Sequence, residues 1–370
     1  MAKSKGTNRR EFLRGKSAVV SLQDALDRFN ASAEEDESTA KLPPATYVLE
    51  VTRRAMACDF QLLLNAGMSE RETAAAVKAL DKVEALEDQL TVYQETSEVS
   101  LLNKLASKRP FPVKANLFEL IERSIALSKM TAGAFDITAG PLAKVWGFYR
   151  RQGQIPHTDD LQQTLERVGS QLLELDSEKQ TVYFQKPGME LNFGAIGKGL
   201  ALDEAAEVLK EEGVGHFLFH GGQSSMLAAG CRARGRENDP GWVVGIGHPI
   251  RRDKKMAHLR LINRGIGTSG SGVQFFRHEG KKYGHLLDPR TGQPAEGVLS
   301  VTVCAASAAE ADALSTAFYV LGEEKIRTFC EAHPEVQVLL MLPTTGATSV
   351  RIETFNFEDE LEILSEPIAW

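Results

Sequence analysis

Apolar residues recur at helical spacing along several stretches of this chain. Ser69 and Glu72 form a capping box, and Ala76, Ala79, Leu80, Val83, Leu86 and Leu90 then fall on one face, so a helix is expected to begin near residue 70. A second is expected with Asn116 as its cap and Glu119 three residues on, running through Leu117, Leu120, Ile121 and Ile125 to a stop at Gly133. Thr158 to Leu173 has the pattern of a polar amphipathic helix, and Leu200 to Glu212 that of another, ended by Gly213. One further run is bounded at both ends. Ser307 and Glu310 box its start, Gly322 stops it, and Ala311, Leu314, Ala317, Phe318 and Leu321 give it an apolar face.

Elsewhere the period is two. TYVLEVTRRAMACDFQLLLN, from Thr46, alternates around a break at Arg53 to Cys58 and predicts a strand pair or a kinked strand. HFLFHGGQSSMLAAG predicts two strands about a Gly-Gly turn, GWVVGIGHP another, KQTVYFQKPGME a hairpin, and QVLLMLP with RIETF a last pair. LINRGIGTSGSGVQFF puts Thr268 and Ser269 in a polar turn between strands. GAFDITAGPLAKVWGFYR, dense in small residues beside aromatics, reads as a loop and short helix, either shaping a pocket wall or purely structural. There is no internal repeat.

Composition narrows the classes. With 370 residues, 42% hydrophobic and 25% charged, the chain has the balance of a soluble globular protein of one large domain or two smaller ones. A net charge of -7 with scattered Lys and Arg argues against a general nucleic-acid binder. No segment reaches the apolar length of a membrane span. Cys58, Cys231, Cys304 and Cys330 form no CxxC or zinc pattern and read as buried free thiols. Residues 1–44 are polar and expected to be a flexible lead-in, and an acidic tail is expected over 358–370. Within the lead-in, TNRREFLRGK resembles a twin-arginine export signal, but only Ala18, Val19, Val20 and Leu22 follow before Asp24. That short apolar stretch favours the cytoplasm, with export to the periplasm as the alternative.

Candidate chemistry gathers in a few places. On the helix after Ser307, Asp312 and Thr316 stand four apart on one face, a carboxylate and a hydroxyl within reach of one small object. Hard oxygen ligands suit Mg2+ with a substrate phosphate, although a solvated helix edge fits the same spacing. In LNFGAIGKGLALD, Gly194, Gly197 and Gly199 allow close backbone approach to a ligand, and Lys198 lies where a helix start favours phosphate. The spacing is neither GxGxxG nor a Walker loop.

Taken in order, AMACDFQ, LTVYQETSEVSLLN, GAFDITAGPLAKVWGF, LNFGAIGKGLALD, HLLDPRTGQPA and VTVCAASAAEADALSTAFYVLG resemble the ApbE-type flavin transferases, the FAD:protein FMN transferases, from about Tyr47 to Leu342. The resemblance implies an α/β (α+β) fold over residues 45–357, with two sheet-and-helix lobes around a central cleft for FAD and a divalent metal. It implies transfer of FMN from FAD to a threonine of an acceptor protein, with release of AMP. Carried onto this chain, Asp312, Thr316 and the Ala195 carbonyl match the metal ligands. Met56, Tyr93, Ala134, Phe135, Asp136, Lys198 and Leu287 match flavin-nucleotide contacts, Thr268 joins them as a candidate, and His285 matches the histidine of HxxDP. Asn192 departs from the pattern: an acidic residue is usual there, and asparagine keeps an acceptor without the charge.

The implied reaction needs a proton taken from the attacking hydroxyl. A histidine of near-neutral pKa is the usual means, so His285 is the first candidate, with Asp288 or Asp312 as alternatives. An FAD pyrophosphatase, with water as nucleophile, and a non-catalytic FAD-binding protein stay open beside the transferase.

Overall fold

The computed structural model of the chain describes residues 48–65, 69–150, 152–232, 241–251, 253–270, 272, 274–345 and 349–369. The segment 1–44, with its twin-arginine-like motif, lies outside them. The strand pair expected at the start is β1 (Val48–Ala55) and β2 (Cys58–Asn65), in register along their whole length. The break between them is a two-residue turn in which Met56 and Ala57 both take positive φ, 49° and 61°. That matches the twist of the strands and turns the chain sharply.

Helix α1 (Glu70–Leu90) begins with the expected capping box and buries the expected face. After α2 (Glu98–Leu105) and the short β3 (Phe111–Pro112) comes α3 (Ala115–Met130). Its cap position is Lys114, not Asn116. Asn116 instead exchanges amide hydrogen bonds with Gln89, 2.7 and 3.0 Å, fastening α3 to the end of α1. α4 (Gly140–Val145) is followed by α5 (Thr158–Leu165), which is shorter than the pattern suggested. The chain must pass through Gly169 at φ 135°, a backbone only glycine takes easily, and by Leu173 it is already a strand. The expected hairpin therefore starts early, as β4 (Leu173–Asp176) and β5 (Thr181–Phe184).

Helix α6 (Gly197–Glu211) leads into β6 (Phe217–Gly221), β7 (Ser225–Ala229), β8 (Trp242–Gly247), β9 (Lys254–Leu261) and β10 (Arg264–Gly270). Thr268 and Ser269 thus lie inside β10 rather than in a turn, paired in register with Thr302 and Val301. A separate hairpin, β11 (Phe275–His278) and β12 (Lys281–Gly284), precedes β13 (Ser300–Ala305). α7 (Ala308–Leu321), α8 (Glu323–Ala332), β14 (Gln337–Pro343), β15 (Val350–Phe355) and β16 (Leu361–Ala369) complete the described chain. The segment expected to be an acidic tail is therefore largely a strand: β16 pairs antiparallel with β9, placing Leu361 beside Leu259 and Ile363 beside Ala257.

Eight strands form the main sheet in the order β1-β2-β6-β7-β10-β13-β14-β15. Period-two alternation assigns its faces. Phe217 and Phe219 of β6, Val301 and Val303 of β13, and Val338 and Leu340 of β14 point to the helices α1, α6 and α7. Their neighbours Leu218, Cys304 and Leu339 point to the opposite face, covered by the three-stranded sheet β16-β9-β8 through Trp242, Val244, Leu259 and Leu261. Three layers result. The smaller sheet β3-β5-β4 shares a core with α2 and α3 and forms the second sheet-and-helix group. Among the described residues no helix is long and apolar enough to cross a membrane, and all four cysteines are free, Cys304 and Cys330 buried and Cys58 and Cys231 half-buried.

Candidate active site

The position of α7 decides where its polar residues go. Gly199 of α6 and Gly265 and Gly267 of β10 lie so close to α7 that a methyl group on any of them would run into its backbone at Ala308, Ser307 or Ala311. Asp203, one turn along α6, accepts the free N–H groups of Ala308 and Ala309 at 2.8 and 2.9 Å. A carboxylate there meets the positive end of the helix. Ser307 adds its own cap to Glu310, and Arg123 donates to the Ser307 hydroxyl.

Held this way, Asp312 is 5% exposed, not at a solvated helix edge. Its carboxylate accepts from the buried Ser225 hydroxyl, 2.7 and 2.9 Å to its two oxygens, and from the Gly199 N–H at 2.8 Å. Burial pushes its pKa up to about 6, against the opposing pull of Lys198 and these hydrogen bonds. One turn on, the Thr316 hydroxyl lies 3.3 Å from that of Ser269, which is itself 2.9 Å from Ser315. The Gly199 N–H given to Asp312 is the one that would close the first turn of α6 onto the Ala195 carbonyl. Among the described residues no N–H donates to that carbonyl. A buried anion that is costly without a counter-charge, a hydroxyl one turn away and a carbonyl with no donor are a fitting donor set for a hard cation. There is a single carboxylate, and among the described residues no cluster of three His, Cys, Asp or Glu forms a metal site.

The N-terminus of α6 makes one end of a cavity of about 290 Å³. Gly197 and Lys198 line it with Asn192, with Met56 and Ala57 from the β1–β2 turn, and with Glu87 and Tyr93 from the end of α1 and the loop after it. α6 starts at Gly197, earlier than its periodicity suggested, so Lys198 sits in the first turn, and the cap residue Ile196 supplies no side-chain bond to that end. Tyr93 is 72% exposed and rests on Tyr149, ring centres 4.7 Å apart, while the Tyr149 hydroxyl donates to the Val92 carbonyl. The Asn192 amide oxygen already accepts from the Gly194 N–H at 2.8 Å. It therefore offers its NH2 and one remaining lone pair, rather than a free acceptor.

His285 follows β12. Both its backbone N–H and its Nδ1 meet the Gln274 carbonyl, at 3.2 and 3.0 Å, and its ring stands edge-on to Phe148. Burial lowers its pKa below the ordinary imidazole value, and the positive charge of Lys198 lowers it further, the Gln274 bond opposing both. Asp288, the alternative base, is committed to Arg290, which grips it through two bonds of 2.8 and 2.9 Å.

Not every expected contact converges. The Ala134 and Phe135 side chains are in the core. The Asp136 carboxylate is engaged by Ser128, Thr138 and Ser170, and Asp136 lines a different cavity, of about 480 Å³, with Lys129, Gly133, Gln171 and Arg290. Leu287 bridges to Pro294 and packs with Leu142 and Leu161. The Thr268 hydroxyl is 2.9 Å from that of Thr302 across the sheet. Ser225 and Asp203 were missed from sequence because their partners lie about a hundred residues away, and a serine after a glycine turn carries no signal of its own. Gly199, expected to face a ligand, instead faces α7.

A sheet covered on one face by helices and on the other by a second sheet, with a buried carboxylate at the seam between two helices and the central strands, defines a mixed α+β protein. Comparison with known proteins narrows this further. The chain belongs to the ApbE family, whose sequence pattern matches residues 46–340. It is 31% identical over 294 residues to the FAD:protein FMN transferase of Escherichia coli K12, covering 77% of this chain and 82% of that protein. The Vibrio cholerae protein of the same name is 30% identical over 268 residues, covering 71% and 77%. Among solved structures, the ApbE protein of Thermotoga maritima superposes with a TM-score of 0.73 at 26% identity, over 82% of this chain and 96% of that one. The apo flavinyl transferase ApbE of Pseudomonas stutzeri gives 0.72 at 26%, over 84% and 98%.

Proposed function

We propose that this protein transfers FMN from FAD to a threonine hydroxyl of an acceptor protein and releases AMP, with Mg2+ bound at Asp312, Thr316 and the Ala195 carbonyl. The observation that carries this reading is the buried Asp312, held by Ser225 and by the Gly199 N–H, which is thereby turned away from the Ala195 carbonyl. A cation held by these residues would supply charge neutralisation and polarisation for the diphosphate of FAD. Lys198, in the first turn of α6, brings a positive charge and the positive end of the helix to the same phosphates. Tyr93, propped by Tyr149 at the mouth of the cavity, offers a face on which a planar ring can stack. The threonine oxygen attacks the phosphorus of the FMN half, the bond to the AMP oxygen breaks, and the threonine proton passes to His285. With its pKa lowered by burial, His285 is neutral at pH 7 and ready to accept that proton.

The test is to incubate the protein with FAD and Mg2+, with and without an acceptor domain carrying a target threonine. Expected are an acceptor heavier by one FMN and an equal amount of AMP. Free FMN formed equally well without acceptor would favour a pyrophosphatase. FAD bound but never cleaved would leave a binding protein.

A further inference from the structure

Gln274 lies between β10 and β11, against His285. Its carbonyl takes two hydrogen bonds from one residue, from the His285 backbone N–H at 3.2 Å and at Nδ1 at 3.0 Å. A carbonyl oxygen only accepts, so Nδ1 must carry the hydrogen, and in the neutral ring the lone pair then lies on Nε2. The carbonyl is not free to wander. The side-chain amide of the same residue donates through Nε2 to the Phe148 carbonyl at 3.1 Å, tying residue 274 to the wall that follows α4. Phe148 meets the His285 ring edge-on and packs against Phe276 of β11, 5.6 Å between centres, and Phe276 stacks on Tyr283 of β12 at 5.2 Å. The hairpin leading to His285 is thus fastened at its root by one amide and along its length by aromatic rings.

We infer that Gln274 is a positioning residue: its carbonyl fixes His285 as the Nδ1–H tautomer with Nε2 as the basic atom, and its side chain holds that carbonyl in place. This rests on the reading of His285 as the base, and it goes further by naming the basic atom and the residue that selects it. Which nitrogen bears the proton in the neutral ring is a property separable from turnover.

The experiment is nitrogen NMR on the full-length chain labelled with 15N-histidine at pH 8, with His285 assigned by difference from His285→Gln. A pyrrole-like Nδ1 and a pyridine-like Nε2 are expected. The reverse pattern, or an even mixture of tautomers, overturns the inference whether or not the protein transfers FMN. Gln274→Met keeps the backbone carbonyl and the side-chain length but removes the donor to Phe148. It should raise the minor tautomer of His285 roughly tenfold, the worth of about one hydrogen bond. It should also lower kcat for FMN transfer while leaving KM for FAD in place. Phe276→Leu loosens the aromatic packing without touching the tether and should leave the tautomer ratio as in wild type. If Phe276→Leu shifts the ratio as much as Gln274→Met, the hairpin's packing and not Gln274 sets the tautomer, and the assignment falls. Should Gln274→Met not fold, the wild-type spectrum alone decides. A correct tautomer in a protein that never cleaves FAD would sink the transferase reading and leave the positioning intact.

Discussion

Asp312 is where a single residue's energetics are most exposed to measurement. Its pKa is raised in the fold, from 3.8 to about 6, so between those values the folded state holds more protons than the unfolded one. Stability contributed there is complete at acid pH and lost as pH rises through about 6, on the order of 2–3 kcal/mol for the metal-free chain. Asp312→Asn should therefore raise the melting temperature of metal-free protein at pH 8. Added Mg2+ should raise the melting temperature of wild type and leave the variant unmoved. A variant that melts lower than wild type without metal would mean its hydrogen bonds outweigh the buried charge. His285 has the opposite sign. Its depressed pKa keeps the ring neutral down to below the ordinary 6.5, so the acid limb of FMN transfer should lie below that value. Lys198→Met removes a positive neighbour and should move the limb upward in a pH profile of kcat/KM, alongside weaker FAD binding.

At the scale of elements, three glycines and one carboxylate seat α7. Gly267→Ala would push a methyl into the α7 backbone at Ala311 and Asp312, and should cost about 1–3 kcal/mol in urea unfolding with loss of the Mg2+ response. Asp203→Ala uncaps the same helix and should cost about 1–2 kcal/mol. These contacts also explain what could be read in advance. The bounds of α7, the β1–β2 and β6–β7 pairs and the face of α1 were legible because capping residues and apolar spacing act locally. Asn116, Thr268 and Gly199 were misplaced because their partners, Gln89, Thr302 and Ala308, come from distant parts of the chain. Asp312, Thr316 and Lys198 stood out by their spacing and by their place on helices, and His285 by the family resemblance. Their supports, Ser225, Asp203 and Gln274, did not, since a buried hydroxyl, cap or tether has no sequence pattern until the fold supplies the other atom.

For the whole molecule, the layer made by β8, β9 and β16 matters as much as the helices. It covers Leu218, Ile266, Cys304, Leu339 and Met341 on the face opposite the site. A chain stopped after Phe357 loses the nine residues of β16 and leaves one edge of β9 unpaired. Such a chain should melt well below wild type and aggregate on heating, because an open edge beside apolar side chains invites pairing with other chains. FAD affinity measured below its melting point should be close to normal, since none of the cavity residues belongs to that layer. Weak FAD binding in a still-folded truncated chain would show that the back layer shapes the site.

The strand order of the main sheet carries a consequence for how the chain comes to be made. Each strand lies beside the one before it among the eight, so the sheet can widen one strand at a time as the polypeptide leaves the ribosome. The seat of Asp312 becomes available only when α7 arrives on α6 and β10, more than a hundred residues after Lys198. β9 waits longer still, since its second partner is the last strand of the described chain. During synthesis there is thus an interval in which the helix side of the sheet is complete while its other side is half-covered, and that interval is when a nascent chain of this kind most needs a chaperone.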